Sequence, residues 1–304
     1  MAPSLQQKLF VEFVGTALLC FTVSCLPKVA EDMVGITVGG VLMLLVYAGG
    51  PQSGGHYNPA VTLAILGRGL IEAKEAALYM VAQAIAAVAG ATVAAGLYPF
   101  DEAAFPAPAE GVGVLAALVA ELCWTWTLAY VVLMVATRDE VSDNGYFGLA
   151  IGMVLMSAAY CIGPVSGCAI NPAVGVLAFL HGSSTAWIYV VGPLAGGALA
   201  ALHLMIVDKG ETYSSLLVEA AGTFVLCSAV ATSVHNGTAM APLAIGGALA
   251  TQVYACVEIK VLWRVRPESP RRPPRHRRDA CSMAWRCRFL TARPSQDGRI
   301  IAEK

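Results

Sequence analysis

The sequence predicts an all-α membrane protein: six transmembrane helices plus two re-entrant half-helices in an inverted repeat, followed by two extra helices. Three observations predict it. Hydrophobic residues make up 57% of the 304 residues and charged residues only 13%, where soluble domains carry roughly 25% charged residues; mean hydropathy is +0.67. The tripeptides Asn58-Pro59-Ala60 and Asn171-Pro172-Ala173 each open an apolar stretch too short to cross a bilayer. Both tripeptides close a short small-residue stretch, Ser53-Gly54-Gly55-His56-Tyr57 and Ser166-Gly167-Cys168-Ala169-Ile170, at matching places in two halves of the chain.

A span needs about 20 apolar residues. Six stretches qualify: about 9–27, 34–50, 75–98, 112–136, 146–164 and 186–207. The first of these reads as a signal-anchoring helix rather than a cleavable signal peptide, because more spans follow it. The half-length segments cover about 58–67 and 171–180. Asparagine is a good N-cap, and proline at the first helical position loses no needed N–H. A helix broken inside a membrane is tolerated only where its backbone lines a cavity or is buried in protein. Two such breaks in corresponding places of two halves point to a transport site at the midplane.

Orientation follows from the basic residues. With the N-terminus in the cytosol, Lys8, Arg68, Lys74, Arg138 and Lys209 fall inside, and Lys28, Glu31, Asp32, Asp101, Glu102 and Glu110 fall outside. The two half-helices then enter from opposite sides, which makes the repeat inverted. Glu12 in the first span and Glu121 in the fourth occupy equivalent places.

Residues 1–210 form one complete module. Residues 211–256 form a partial repeat of its first two spans: 218–255 repeat 11–48 at a constant offset of 207, with 14 of 38 positions identical. A fixed offset of this kind signals a repeated unit. The copy stops where the first Asn-Pro-Ala motif should follow. Residues 257–304 are then Arg- and Pro-rich, as in Arg271-Arg272-Pro273-Pro274-Arg275-His276-Arg277-Arg278, and hold 13 of the 19 Lys and Arg. This tail reads as disordered chain or translated non-coding sequence; the functional alternative is a cytosolic polybasic segment that binds anionic lipid.

Residues 1–210 resemble the aquaporins, the major intrinsic protein family. The resemblance rests on the two motifs at inverted positions, on Ser53 through Thr62, on Gln83 in the third span, and on Trp187 through Gly197 in the sixth. It implies a passive channel for water or small uncharged solutes, assembled as a homotetramer with one pore per subunit. The physics points the same way. Two half-helices meeting at mid-membrane bring together N-termini that each carry roughly +0.5 of a charge. That potential repels cations and protons. Asn58 and Asn171 would present side-chain N–H donors to a passing water and interrupt a proton wire.

The resemblance also implies an outer selectivity filter at Val38, Ala159, Cys168 and Val174. Water-selective members of the family usually carry an aromatic residue, a His and an Arg there. Here the Arg position is Val174 and the His position is Ala159, so the filter is expected to be apolar and wider. Glycerol, urea, ammonia, hydrogen peroxide and metalloid acids become candidate solutes; a narrow apolar ring that gates by dewetting is the opposite outcome. Cys168 is expected to face the pore, where its thiol would confer sensitivity to mercury. Glu12 and Glu121 are expected to be structural and to hold loop backbone. His56 is expected to be structural near the cytosolic mouth, with a pH-gate role as the alternative.

Composition and motifs argue against other classes. No nucleophile–base pair and no Cys/His cluster with metal spacing occurs, so neither enzyme chemistry nor a cofactor or metal is expected, and nothing suggests nucleic acid as a partner. Nine cysteines are present, several in apolar segments where free Cys behaves as a small hydrophobe. A secondary transporter with inverted repeats is the runner-up, although no carboxylate neighbours either Asn-Pro-Ala. A non-conducting structural membrane protein is the third reading.

Overall fold

The computed structural model describes residues 2–141, 143–208, 223, 227 and 245–249. Most of the partial repeat and the whole Arg- and Pro-rich tail lie outside the described residues. Eight α-helices follow in order among the described residues: α1 Leu5–Ser24, α2 Val34–Ser53, α3 Pro59–Gly67, α4 Ala73–Ala95, α5 Val114–Ala136, α6 Phe147–Ser166, α7 Pro172–Leu180 and α8 Ile188–Val207. Six are long and apolar enough to cross a membrane. The other two, α3 and α7, are nine residues each.

Local chemistry sets the helix ends. α1 begins four residues before the expected start because Ser4 and Gln7 form a capping box, with each side chain bonded to the other's backbone N–H. α2 and α6 each run two or three residues past the expected end. Pro51 and Pro164 lie in their last turns, and the helices stop at Gly54 (φ 94°) and Gly167 (φ 82°), whose left-handed backbone glycine adopts without strain. α3 and α7 start as the sequence suggests, with Asn58 and Asn171 as N-caps accepting from Ala60 N–H (2.8 Å) and Ala173 N–H (2.9 Å).

The helices form two structurally equivalent halves, α1–α4 and α5–α8. α1 packs on α4 as α5 packs on α8, while α2 crosses α6 between the halves. Each half-helix packs on the last long helix of the opposite half: α3 on α8, α7 on α4. The α2–α6 crossing is tight at Gly39 and Gly152. A Cβ on Gly39 would stand 2.6 Å from the Gly152 carbonyl, and one on Gly152 would stand 2.5 Å from the Gly39 carbonyl. Small residues of this kind let backbones approach in a medium where helices gain little from hiding apolar surface.

The outer faces are apolar: Phe10, Leu44, Val81, Ile85, Leu115 and Leu202 are exposed. Ion pairs among the described residues lie at helix ends. Lys8 meets Glu75 at 2.8 Å, and Lys28 meets Glu102 at 2.5 Å. Asp208, just past α8, pairs with both Arg68 after α3 and Arg138 after α5. Glu12 and Glu121 are instead fully buried at membrane depth.

Candidate functional site

The tips of α3 and α7 meet at the centre of the molecule, and the segments preceding them, 53–58 and 166–171, are held by parallel sets of bonds. Glu12 accepts from Ser53 Oγ (2.7 Å), His56 N–H (2.9 Å), Tyr57 N–H (2.7 Å) and Gln83 Nε2 (2.9 Å). Glu121 accepts from Ser166 Oγ (2.6 Å), Ala169 N–H (3.0 Å) and Ile170 N–H (2.6 Å). Both segments would otherwise bury unpaired backbone donors, each costing about 1–3 kcal/mol. Tyr79 and Tyr189 close the sets by donating to the carbonyls of Ser53 (2.8 Å) and Ser166 (2.6 Å).

The bonded segments adopt backbone that side chains normally avoid. Tyr57 (φ 46°), Cys168 (φ 52°) and Ile170 (φ 38°) all lie in the left-handed region. For the β-branched Ile170 this is a genuine outlier, and such strain costs of order 1–3 kcal/mol per residue. It turns the Tyr57 carbonyl toward Asn171 and the Ile170 carbonyl toward Asn58. Asn171 Nδ2 donates to Tyr57 O at 2.9 Å, and Asn58 Nδ2 donates to Ile170 O at 2.9 Å.

Each asparagine therefore does three things. Its Oδ1 caps its own half-helix, and one Nδ2 hydrogen binds the opposite loop. That leaves the second Nδ2 hydrogen, and both asparagines line an internal cavity of about 60 Å³. A cavity needs roughly 10–15 Å³ to hold one water, so this one has room for water.

The cavity is also lined by Val38, Cys168 and Val174, and by Leu26, Val34 and Leu155. Ala159 is not among the lining residues. It is half-buried against the main apolar cluster, and Leu155, one turn earlier on α6, reaches the cavity with a longer side chain. Gly167, Cys168, Ala169 and Ile170 line the same cavity. Among the described residues, no lysine, arginine, aspartate or glutamate lines the cavity. His56 lines the cavity too, with Nδ1 3.0 Å from Thr62 Oγ1 and its ring 5.1 Å from that of Tyr79. Among the described residues no cluster of three His, Cys, Asp or Glu could hold a metal ion.

Sequence reasoning missed Ser53, Ser166, Tyr79 and Tyr189. A signal existed. Both serines stand five residues before a motif Asn, and Tyr79-Met80-Val81 and Tyr189-Val190-Val191 recur in the third and sixth spans.

Comparison with known proteins agrees with this geometry. The chain is 35% identical over 204 residues to aquaporin NIP1-4 of Oryza sativa subsp. japonica, covering 64% of this chain and 74% of that one. It is 32% identical over 208 residues to aquaporin-5 of Ovis aries, covering 64% of this chain and 77% of that one. The X-ray structure of the aquaglyceroporin from Plasmodium falciparum superposes with a TM-score of 0.60 at 19% identity, covering 70% of this chain and 99% of that one. The family model of the major intrinsic proteins matches residues 2–204, so the chain belongs to the major intrinsic protein family.

Proposed function

We propose that the cavity between α3 and α7 is the centre of a passive channel for water and small uncharged solutes, with an arginine-free outer filter. The observation that carries this reading is the asparagine pair. Each residue caps a half-helix whose N-terminus faces the cavity, and each keeps an N–H for a passing acceptor. A water or hydroxyl solute accepts from both and turns as it passes. The half-helix N-termini supply positive potential against protons and cations.

Coupled transport finds less support. It calls for titratable carboxylates on the path, whereas Glu12 and Glu121 are engaged with loop backbone and are absent from the cavity lining. A plugged, structural role is also disfavoured by a cavity with room for water.

We infer that Val38, Ala159, Cys168 and Val174 form the outer filter; Val38, Cys168 and Val174 line the cavity. Without a guanidinium, the filter offers backbone carbonyls and apolar side chains, which suits glycerol, urea, ammonia, hydrogen peroxide or metalloid acids as well as water. We further infer a homotetramer in a lipid bilayer, with N-terminus and tail on the cytosolic side.

Stopped-flow light scattering on proteoliposomes of the full chain tests the reading. Fast water flow together with fast swelling in glycerol or urea gradients is expected. Fast water flow with complete exclusion of glycerol, urea and hydrogen peroxide would refute the wide filter. Flow no faster than empty liposomes would refute the channel.

A further inference from the structure

The loop joining α4 to α5, residues 96–113, lies against the wall of the cavity. Its Ala104 N–H donates to Ser24 O and its Ala109 N–H to Val165 O, both at 3.1 Å. A Cβ on Gly167 would stand 2.6 Å from Ala107 N and 2.9 Å from Pro106 Cα. Gly167 lines the cavity beside Cys168, so the loop bears directly on backbone that shapes the path.

One side chain grips this loop. His181, the C-cap of α7, stacks on Phe100 with centroids 4.2 Å apart and planes 6° from parallel, and on Phe105 at 4.3 Å and 16°. Two near-parallel rings at these distances cannot share one face, so the imidazole lies between them. Its Nδ1 is 2.8 Å from Leu177 O, and its Nε2 is 3.1 Å from Phe100 O. Both partners are backbone carbonyls, which only accept. A neutral imidazole has one N–H and serves one of them; an imidazolium has two and serves both. Aromatic faces attract a cation, and so does the C-terminal end of a helix.

The other titratable groups around His181 lie on the loop or at a distance. α3 and α7 carry no charged residue. The loop carries Tyr98, Asp101, Glu102 and Glu110, with Glu102 paired to Lys28 at 2.5 Å. Tyr189 of α8 is engaged with Ser166 O. Lys8 and Glu12 of α1, Lys74 and Glu75 of α4, and His203 of α8 stand toward the other ends of the helices packed on α7.

We propose that His181 is a pH-sensitive latch that holds the α4–α5 loop on the cavity wall at Gly167 when its imidazole is protonated and loosens the loop when it is neutral. Histidine is the side chain whose charge ordinarily changes between about pH 5 and 8. On losing a proton, His181 gives up one of its two carbonyls. By linkage, the latched loop is favoured as pH falls and released as pH rises. Release withdraws a brace from the segment strained at Cys168 (φ 52°) and Ile170 (φ 38°), and such strain persists only where the surroundings over-determine it. The wall beside Gly167 then yields, and glycerol passes more readily relative to water. The effect on flow rests on the channel reading above; the latch itself does not.

Hydrogen–deuterium exchange of the full chain in proteoliposomes tests the latch, read on peptides from the α4–α5 loop at about pH 5.5 and about pH 8, on either side of an ordinary histidine. His181→Phe keeps the ring stack and removes both donors. His181→Arg keeps a charge at every pH, in a planar group that stacks on aromatic faces. Comparing variants at the same pH cancels the intrinsic pH dependence of exchange, and matching exchange elsewhere in the chain shows that a variant is folded. The unaltered loop is expected to exchange several-fold more slowly than that of His181→Phe at the lower pH, and nearly as fast at the higher. The loop of His181→Arg should be protected at both. An unaltered loop that differs from His181→Phe by the same factor at both pH values, or by none, overturns the latch. Stopped-flow measurements on the same vesicles read the consequence. The ratio of glycerol to water flow should rise several-fold with pH in the unaltered chain, and stay low in His181→Arg and high in His181→Phe. Loop protection that follows pH while this ratio stays constant overturns the effect on the path. No flow in any variant overturns the channel reading, and the exchange data still decide the latch.

Discussion

Asn58 and Asn171 are tied to each other's loops. Asn58 Nδ2 donates to the carbonyl of Ile170, the residue before Asn171, and Asn171 Nδ2 donates to the carbonyl of Tyr57, the residue before Asn58. Both bonds are 2.9 Å and buried. This exchange fixes how the two half-helix tips face one another, and so it fixes the narrow middle of the path.

Replacing Asn171 by Ala removes a cap, worth about 1 kcal/mol, and leaves the Tyr57 carbonyl buried and unmatched, costing about 1–3 kcal/mol. Thermal unfolding in detergent is expected to shift down accordingly. The companion variant Asn58→Asp keeps the cap but sets a carboxylate against the Ile170 carbonyl. It should admit cations, read as dissipation of a potassium gradient across proteoliposomes.

The carboxylates should not respond equally to neutral substitution. Glu121 accepts from three donors, two of them backbone N–H groups, whereas Glu12 also has Gln83 beside it. In Glu12→Gln, the Gln83 amide can turn to present its oxygen. Nothing equivalent stands next to Glu121, because Pro193 occupies the place in α8 that Gln83 has in α4. Glu121→Gln is therefore expected to lower the unfolding temperature more than Glu12→Gln, and Glu121→Leu more again. An equal loss for the two Gln variants would contradict this.

Val174 is buried on the cavity wall. Val174→Arg would place a fixed charge with five donors in the outer filter. Glycerol and urea permeation are expected to fall about tenfold or more, a change of about 1.4 kcal/mol per decade, while water flow changes less. Unfolding temperature, measured alongside, separates a lost fold from a narrowed filter.

Cys168 lines the cavity and is half-buried. Mercuric ion is expected to slow water flow, and Cys168→Ser should abolish that effect. Undiminished inhibition in the Ser variant would mean another of the chain's thiols is the target. Because Cys168 has φ 52°, Cys168→Gly should in addition raise stability by up to about 1 kcal/mol through relief of strain.

Much of the architecture was legible in the sequence because its signals are local. Asn-Pro sets a cap and a first helical turn at once, and α3 and α7 begin where it stands. Helix ends shifted where a side-chain bond or a tolerated proline intervened, as at Ser4, Pro51 and Pro164. The struts from Tyr79 and Tyr189 were not legible, since each closes over 23 or more residues onto a carbonyl that carries no sequence mark. Nor was the strain at Tyr57 and Ile170, where glycine would be expected. That Leu155 lines the cavity was not legible either, since which residues of α6 line it depends on helix rotation rather than on distance from a motif.

The crossed asparagine bonds also bear on how the protein is made. Synthesis delivers the chain from its N-terminus, so α1–α4 reaches the bilayer before residues 170 and 171 exist. Asn58 then has nothing to donate to, and the Tyr57 carbonyl has nothing to accept, until partners 112 and 114 positions later arrive. The early half is a nascent intermediate carrying open polar groups into lipid. The walls of the cavity come from both halves, so the cavity is complete only once the late half has joined the early one.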